Sequence, residues 1–556
     1  MWTPKTVPSY TSHITYRYIS KDAGDPIIEW KICERTGIKF PIFESEATLY
    51  TRLAPTYHGT TFPIPSPTIC PEERQRQRLA RRNDRHLYRR TCDATWEQII
   101  SVYSPKTPYK VYNQSYRRSD KRDAITYGKS YTSEKYFFDQ FQELMLSVPH
   151  SNIFSTNCED CDYTNYTINS KWCYAVFGCT ESLGCLFSDF IVNGTQVYDS
   201  ISVFNSTHCY QGIASENCTS CQYFKNCSWC SDCFGISYCT NCNHCIGCTG
   251  LQDKSYYIFN IPVTKEDFEH YRSSLSSREQ RDVIFKKAQK LALPPKITTL
   301  IHCKNSYGDM LVNSTNALFC YDCNDVKSVF YTANAPHTQS SSDIDYAAPA
   351  GTQRCYNMWT SCWSQDSIWC MLCWYCTSVF YCLECHNCSN CFWCVWLRNK
   401  EYCILNKQYT PKVYEKTVAL IIKSMSNEWT RWQFLPQHIS PFAYNETLAH
   451  DYYPVTPEQQ KNLQNIWYRR EDLDPAHPLV TKHVKAAQLP DTIAEVSDDI
   501  LTFAILCKET WRPFRILPQE LVFYRNMHIP LPHLHPEVRH TKRLQQKNPR
   551  HIEYPN

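Results

Sequence analysis

Cysteines are the residues of this chain best suited to chemistry, because 33 of them occur among 556 residues. Fifteen of them, from Cys158 to Cys248, are all separated by multiples of three residues. Repeated C-x-x-C pairs are typical of zinc and iron–sulfur sites, in which thiolates bind the metal. Thiols stacked one above another could instead form disulfides. Metal binding, disulfide rungs and simple packing are therefore three alternatives for this stretch.

The residues that lie at the same three-residue spacing as these cysteines, here called the cysteine phase, favour packing over metal binding and disulfides. From Cys158 to Leu251 every third position carries a small or apolar residue, and Ser, Val or Gly often stands in place of Cys. The pattern also repeats every twelve residues, a period that neither an α-helix nor an ordinary strand has. A solenoid with twelve residues per coil and four inward side chains per coil fits it. In so narrow an interior a thiol acts as a small hydrophobe.

A second solenoid is predicted further along the chain. Residues 242–264 match residues 388–410, and eight cysteines from Cys370 to Cys394 share one phase. Cys320 and Cys323 hold another phase, so we expect residues 339–353 to loop out and shift it. Helical patterns follow both stretches and would cap the open coil ends.

The two ends of the chain repeat one another, and a third partial copy starts at Cys92. Residues 33–50 match residues 507–524, and residues 65–86 match residues 530–551. A cysteine knuckle, a hairpin and a ligand that opens a helix are typical of zinc-ribbon and treble-clef units.

Each end copy supplies only half of the four ligands that zinc usually takes. The candidate metal ligands are Cys33, Cys70, Cys507 and His535. Other residue types stand where the second ligands belong, namely Thr36, Glu73, Thr510 and Val538. The favoured interpretation is therefore a ribbon that has lost its metal, with no cofactor expected, and zinc is the alternative.

Positive charge is concentrated near the front of the chain. Residues 71–135 contain 16 Lys and Arg against 8 Asp and Glu, whereas the net charge of the whole chain is +4. Arginine forks suit phosphate groups. The candidate contacts to nucleic acid or to another partner are Arg74, Arg78, Arg81, Arg82, Arg85, Arg89, Arg539 and Arg543. The alternatives are arginines that pair with acidic groups of their own solenoid or of a protein partner, and arginines that only improve solubility.

The predicted fold class is mainly β with α, with two narrow Cys-rich β-solenoids, helical caps and zinc-ribbon-like end modules. We expect a basic N-terminal module at 1–148, a first solenoid at 149–260, a helical cap at 261–300, a second solenoid at 301–408, a helical and extended linker at 409–500, and a C-terminal module at 501–556 that repeats 33–86. The chain starts without a secretory signal and has no apolar run long enough to span a bilayer, so a soluble, cytoplasmic protein without membrane contact is expected.

Taken together, these motifs resemble an uncharacterised protein family of Patescibacteria-type bacteria. The resemblance covers nearly the whole chain and rests on CPEERQRQRLARRNDRHLYRRTCD, on the NCxxC solenoids, on SPFAYNET and on PFRILPQELVFYRNMHIPLPHLHPEVRH. It implies zinc-ribbon-like ends around a β-helix and supplies no catalytic residue. Members of that family tend to have full C-x-x-C pairs where this chain has Cys-x-x-Thr.

The sequence is compatible with three classes of function. The favoured one is a non-enzymatic scaffold, whose solenoid faces dock a protein or ribonucleoprotein partner and whose basic ends contact RNA. A β-helix carbohydrate-active enzyme would need converging carboxylates, yet Asp189 and Asp199 are ten residues apart and do not stack on successive coils. A metal or redox protein would need accessible thiols with a low pKa.

Overall fold

The computed structural model describes residues 10–119, 123–291, 299–346, 351–427, 435–456, 459 and 482–552. The chain divides into two compact units, both of them built from separate stretches of sequence. The first unit comprises Met1–Ile153, Ile297–Leu473 and Pro549–Asn556, and the second unit comprises Phe154–Lys296 and Asp474–Asn548. The protein is thus a mixed α and β structure in which each unit joins solenoid coils to segments distant in sequence.

Parallel β-solenoid coils occur in both units, over residues 155–258 of the second unit and 300–404 of the first. Parallel bridges join residues twelve apart, such as Glu159 with Lys171 and Lys171 with Leu183. The cysteine phase points inward, and Cys185 and Cys209 have no exposed surface. The predicted twelve-residue coil and its inward phase are therefore confirmed.

Each coil turns by means of left-handed backbone at every third residue. From Asn157 to Phe259 every third residue has a φ between 47° and 67°, although few of these residues are glycine. A left-handed conformation costs a non-glycine residue about 1–2 kcal/mol. Ladder hydrogen bonds offset this cost, as when the N–H of left-handed Trp172 donates to the carbonyl of Glu159 at 3.0 Å. A coil is thus four repeats of an inward residue, a bridging residue and a corner residue.

Hydrogen bonds of the inward side chains explain why Cys and Ser interchange. The Cys209 thiol donates to the carbonyls of Thr207 and Cys218, both at 3.4 Å. The Ser188 hydroxyl does the same toward carbonyls two residues before and nine residues after it, at 2.8 and 3.1 Å, and accepts from the N–H of Ser200 at 3.1 Å. Because a buried N–H needs a partner, a small group that both donates and accepts suits this interior.

The coils of the first unit include one longer turn. Gln339–Asp345 pairs with Gln353–Trp359 in a register fourteen residues apart, whereas Gln353 pairs with Gln365 twelve residues on. The two extra residues in this turn account for the predicted difference in phase between Cys320 and the later cysteines from Cys370 onward. The stretch does not loop out as a whole, because Gln339–Asp345 is a strand of the ladder.

Helices follow the coils where the sequence predicts caps. In the second unit Lys265–Ser273 packs Phe268 against Tyr256, with ring centroids 5.7 Å apart. In the first unit Pro411–Asn427 packs Tyr414 against Tyr402 at 5.6 Å. The part of the chain that the structure describes contains no helix that is both long and apolar enough to span a bilayer.

Both units contain further elements besides the coils. The helices of the first unit are His13–Ala23, Glu44–Leu53, Pro71–Leu79, Gln114–Arg118, Phe137–Ser147, Pro411–Asn427 and Leu448–Tyr452, with 3-10 turns at Ala124–Tyr127, Gln437–Ile439 and Tyr444–Glu446. Its strands outside the coils are Ile27–Ile32, Lys39–Phe43, Thr56–Tyr57, Thr60–Thr61, Tyr88–Thr91, Gln98–Ser101, Val111–Tyr112 and His150–Ser151. Its coil strands are Leu300–Ile301, Tyr307–Val312, Thr315–Asn324, Lys327–Phe330, Gln339–Asp345, Gln353–Trp359, Gln365–Ile368, Thr377–Phe380, Ser389–Phe392 and Glu401–Ile404, followed by Lys407–Gln408.

The second unit is organised in the same way. Its helices are Lys265–Ser273, Arg278–Leu291, Pro518–Asn526 and Pro536–Gln546, with 3-10 turns at Ser274–Ser276, Ala486–Gln488, Ile493–Glu495 and Asp498–Thr502. Its coil strands are Ser155–Thr156, Thr167–Ile168, Asp189–Val192, Thr195–Tyr198, Ile201–Phe204, Thr207–Tyr210, Ile213–Glu216, Asn243–Ile246 and Ser255–Ile258, followed by Ile261–Pro262. A small sheet of His483–Lys485, Ala504–Leu506 and Pro513–Phe514 completes it.

Candidate functional site

Three hairpin modules share one knuckle geometry. The first spans residues 27–79, the second residues 88–118 and the third residues 504–546. Cys33, Cys92 and Cys507 each follow the first strand of a hairpin and donate a backbone hydrogen bond to the residue five positions on, at 2.8–3.0 Å. The carbonyl of each cysteine accepts from the residue four positions on, at 2.8–3.0 Å. The partial copy predicted at Cys92 is therefore a complete third hairpin.

Each knuckle cysteine lies beside the residue that opens a helix of its module. These helix-opening residues are Cys70, Asn113 and His535. The N–H of Asn113 donates to the Cys92 sulfur at 3.3 Å. In the third module the pKa of Cys507 is lowered although burial opposes the shift, and the backbone of His535 is among the causes. In the first module a hydrogen bond from Cys70 lowers the pKa of Cys33 to about 5.

The predicted metal ligands are thus brought together in pairs, Cys33 with Cys70 and Cys507 with His535. No group of three or more His, Cys, Asp or Glu side chains that could hold a metal ion is found within the described ranges. Glu73, which stands in the place of a second ligand in the first module, is bound by Arg35 at 3.3 Å and by Arg76 at 2.5 Å. Two ligands per module fall short of the four that structural zinc requires.

An arginine stands four residues after each helix-opening residue, and each one meets a carboxylate on a solenoid coil. Arg74 donates to Asp343 at 2.9 Å. Arg117 contacts Glu384, and Arg539 contacts Asp199. All six side chains are buried. Since a buried charge is costly unless it is paired, these contacts hold each helix against the coils of its own unit.

The three carboxylates share a further property, because each occupies a left-handed corner of a coil. Asp199, Asp343 and Glu384 have φ values of 51°, 59° and 56°. Aspartate tolerates this conformation better than most residues do. The corner is therefore the position at which a coil presents an acidic side chain to the arginine of a hairpin module.

Other arginines strengthen two of the three contacts. Arg78 donates to Asp345 at 2.6 Å and to Asp343 at 3.0 Å. Arg543 donates to Asp199 at 3.0 Å and to the carbonyl of Phe187 at 3.2 Å. Asp343 and Asp199 thus each receive two guanidinium groups.

The eight arginines proposed from the sequence as nucleic-acid or partner contacts are mostly inside the protein. Arg74, Arg78, Arg81, Arg82, Arg539 and Arg543 are no more than 5% exposed. Arg82 forms a bidentate pair with Asp84, both bonds 2.7 Å, and Arg81 donates to the carbonyls of Leu435 and Pro436. Arg85 is partly exposed and Arg89 is exposed. Pairing with the protein's own solenoid, one of the alternatives drawn from the sequence, describes the contacts of Arg74, Arg78, Arg539 and Arg543.

A buried glutamate and a tyrosine accompany the arginine in two modules. The Tyr524 hydroxyl donates to Glu520 at 2.6 Å, and Tyr50 makes the matching contact to Glu46 at 2.5 Å. Burial raises the pKa of both glutamates to about 7, although Arg539 and Arg74 oppose the shift. These carboxyls therefore titrate near neutral pH.

The solenoid thiols are free, and nearly all of them are buried. Burial raises the pKa of Cys209 to about 12 and that of Cys179 well above its usual value, whereas hydrogen bonds from neighbouring thiols lower the pKa of others, such as Cys161 to about 3. Metal binding and redox exchange both need thiolate. The geometry and hydrogen bonds of the thiols fit packing inside the coils.

A β-helix enzyme would have to use carboxylates such as Asp189 and Asp199. In the structure both of them contact residues of the third hairpin module. The Asp189 carboxylate lies 2.8 Å from His540, and Asp199 binds Arg539 and Arg543.

Sequence reasoning missed the acidic partners of the arginines. Part of the signal was present within the modules, because the offsets that relate the two ends also map Glu46 onto Glu520, Tyr50 onto Tyr524 and Arg74 onto Arg539. The module side of the docking site was thus duplicated, whereas Asp343 and Asp199 lie outside the matched ranges. Arg117 and Glu384 had no such signal, since the second module is too short to align beyond its knuckle.

No protein-family model and no curated protein matches the chain.

Proposed function

We propose that the protein is a non-enzymatic binding scaffold whose solenoid coils carry hairpin modules that contact a protein or ribonucleoprotein partner. The observation that carries this proposal is the repeated arginine-to-carboxylate contact. It uses the charges of each module to fix a helix on the coils, and it leaves the hairpin tips exposed.

Two of the hairpin tips carry an exposed tryptophan at the same position. Trp96 and Trp511 follow their knuckle cysteines by four residues, with exposed fractions of 80% and 62%. Both have positive φ, 63° and 58°, where the first module has Gly37. A bulky apolar residue in this conformation costs folding free energy. Tryptophan is also the residue most enriched among binding hot spots, so we assign partner contact to these tips.

The test compares proteins and RNA that co-purify with the full chain and with variants. Trp96→Ala and Trp511→Ala remove the tip side chains. Trp172→Ala is the matched control, because Trp172 is half-exposed on a coil corner. A partner retained by wild type and by the control, but lost from the tip variants, would support the scaffold. An unchanged set of co-purifying molecules would reject the tips as the contact.

An RNA component of the partner is tested in the same preparation. If RNA is bound through phosphate contacts, its retention must fall steeply as salt rises. Arg89→Ala is the informative variant, because Arg89 is the exposed member of the predicted set. Nuclease treatment that releases no protein would show that the partner is a protein alone.

We infer further that the hairpin modules are zinc-ribbon-like units that keep the knuckle and lack half of the ligands. The knuckle geometry and the Cys33 and Cys70 pair support this inference. Thr36→Cys with Glu73→Cys would restore four thiols in the first module, and we expect this double variant to hold one tightly bound zinc ion per chain, measured by elemental analysis after dialysis. A double variant that folds but takes up no zinc would contradict the zinc-ribbon relationship.

A further inference from the structure

The second unit contains a cleft that the scaffold proposal does not use. Its volume is about 670 Å³, within the range of sites for small molecules. One wall is formed by coil corners including Tyr223 and Gly235, another by the helix Arg278–Leu291, and the third by the third hairpin module. All of its lining residues belong to the second unit.

The lining of this cleft is strongly cationic. Six basic side chains line the cleft, against two carboxylates, those of Asp282 and Glu509. The basic side chains are Lys225, Arg278, Lys508, Arg539, Lys542 and Arg543. Glu509 is bound by Lys542, and Asp199 lies beneath Arg539 and Arg543. An excess of positive charge remains, and a cleft with low-dielectric walls concentrates its field.

Buried polar atoms without a hydrogen-bond partner lie in the same lining. Arg539 is 5% exposed, and its Nε atom makes no hydrogen bond to any described residue, whereas its Nη2 atom lies 3.7 Å from the Glu520 carboxylate. The buried Nε2 atom of His533 also has no hydrogen-bond partner among the described residues. Burial, with Arg278 and Lys508 nearby, lowers the pKa of His533 to about 4. Buried donors without acceptors are costly, and oxygens of an anionic ligand would satisfy them.

Aromatic rings lie beside these charges. Tyr223 contacts Phe285 with ring centroids 5.6 Å apart and Tyr210 at 5.5 Å, and all three rings line the cleft. Such rings provide surfaces on which a planar group can stack.

We propose that this cleft binds a nucleoside 5′-phosphate monoester, in which a sugar joins the phosphate to a planar base, the chemistry that a free nucleotide and the 5′ end of an RNA strand share. The phosphate lies among Arg278, Lys508 and the Nε donor of Arg539. The ring packs against the aromatic wall. This site goes beyond the scaffold function and does not depend on it.

Calorimetric titration of the full chain tests the proposal with five probes: adenosine 5′-monophosphate, adenosine, inorganic phosphate, an oligoadenylate with a 5′-phosphate, and the same oligoadenylate without it. We expect the monophosphate to bind at least about tenfold more tightly than adenosine or inorganic phosphate alone. Binding of the monophosphate identifies a free nucleotide as sufficient. Binding confined to the 5′-phosphorylated oligomer identifies the RNA end as the source.

Charge reversal locates the site. Lys508→Glu reverses an exposed charge in the lining, and Lys485→Glu reverses an exposed charge of the same unit outside it. We expect the first variant to weaken binding about tenfold or more and the second to leave it unchanged. The proposal is overturned if no probe binds at millimolar concentration, if adenosine binds as well as its monophosphate, or if the two variants behave alike.

Discussion

A buried side chain in this protein is tolerated when its hydrogen bonds are supplied by the coil around it. Cys233 is 2% exposed and donates to the carbonyl of Ser231 at 3.1 Å. Its sulfur also accepts from the N–H of Cys245 at 3.4 Å. Serine could make the same contacts, whereas a charged side chain could not be paired there.

We therefore predict that Cys233→Lys lowers the free energy of unfolding by several kcal/mol, on the order of 4, because it buries an unpaired charge. Asp232→Lys is the adjacent control. The Asp232 side chain is 36% exposed and lies 3.6 Å from Arg272, so its replacement should cost about 1 kcal/mol or less. Urea denaturation measures both variants, and equal losses would contradict the inward phase.

Buried glutamates give the protein a pH dependence that can be assigned. Burial raises the pKa of Glu520 to about 7, above its value in an unfolded chain. The folded state therefore holds this proton more tightly, and the resulting stability is lost as pH rises from about 4.5 to 7. Glu46 behaves in the same way in the first module.

The substitution Glu520→Gln should remove the loss of folding stability that occurs as pH rises. At pH 5 the variant and the wild type should be similar, and at pH 8 the variant should be more stable by up to about 3 kcal/mol. Thermal unfolding at both pH values measures the difference, with Glu266→Gln at an exposed site as the control. A variant with the same pH dependence as wild type would show that Glu520 ionises normally.

The coil is an element that the sequence predicts only in part. Inward residues are limited to small and apolar types by the narrow interior, so their phase could be found from Cys158 onward. Corner residues include Asn, Tyr, Trp and Phe, although their φ is positive. Local preference favours the left-handed conformation at Asn but not at the aromatic residues, where the ladder between coils imposes it.

Substitutions at two adjacent residues of one coil test whether corner residues are conformationally strained and bridging residues are not. Ser220 is a corner residue with a φ of 54°, and Thr219 is the bridging residue before it. Ser220→Val should destabilise the protein by at least about 1–2 kcal/mol, because a β-branched side chain is strained at positive φ. Thr219→Val should have little effect, since valine suits an extended residue. Chemical denaturation compares the two variants, and equal effects would contradict the corner assignment.

At the scale of the whole molecule, the same arrangement of residues fixes a module helix to the coils three times. A helix-opening residue, an arginine four positions later and an acidic coil corner recur with Arg74, Arg117 and Arg539. The sequence revealed the duplicated ends and the arginine clusters. It could not show which acids they meet, because Asp343 and Asp199 are brought to the arginines only by the coiled path of the chain.

Hydrogen exchange on an Asp199→Asn variant tests most directly whether this arrangement holds a module in place. The substitution leaves Arg539 and Arg543 buried without their shared carboxylate, a change that costs about 3–5 kcal/mol in comparable buried pairs. Asp232→Asn, at an exposed corner of the same coils, is the control. We predict faster exchange in Pro518–Asn526 and Pro536–Gln546 of the Asp199 variant, with little change in the coil strand Asn243–Ile246. Unchanged exchange in both helices would contradict the claim that the arginine-to-carboxylate contact docks the hairpin module.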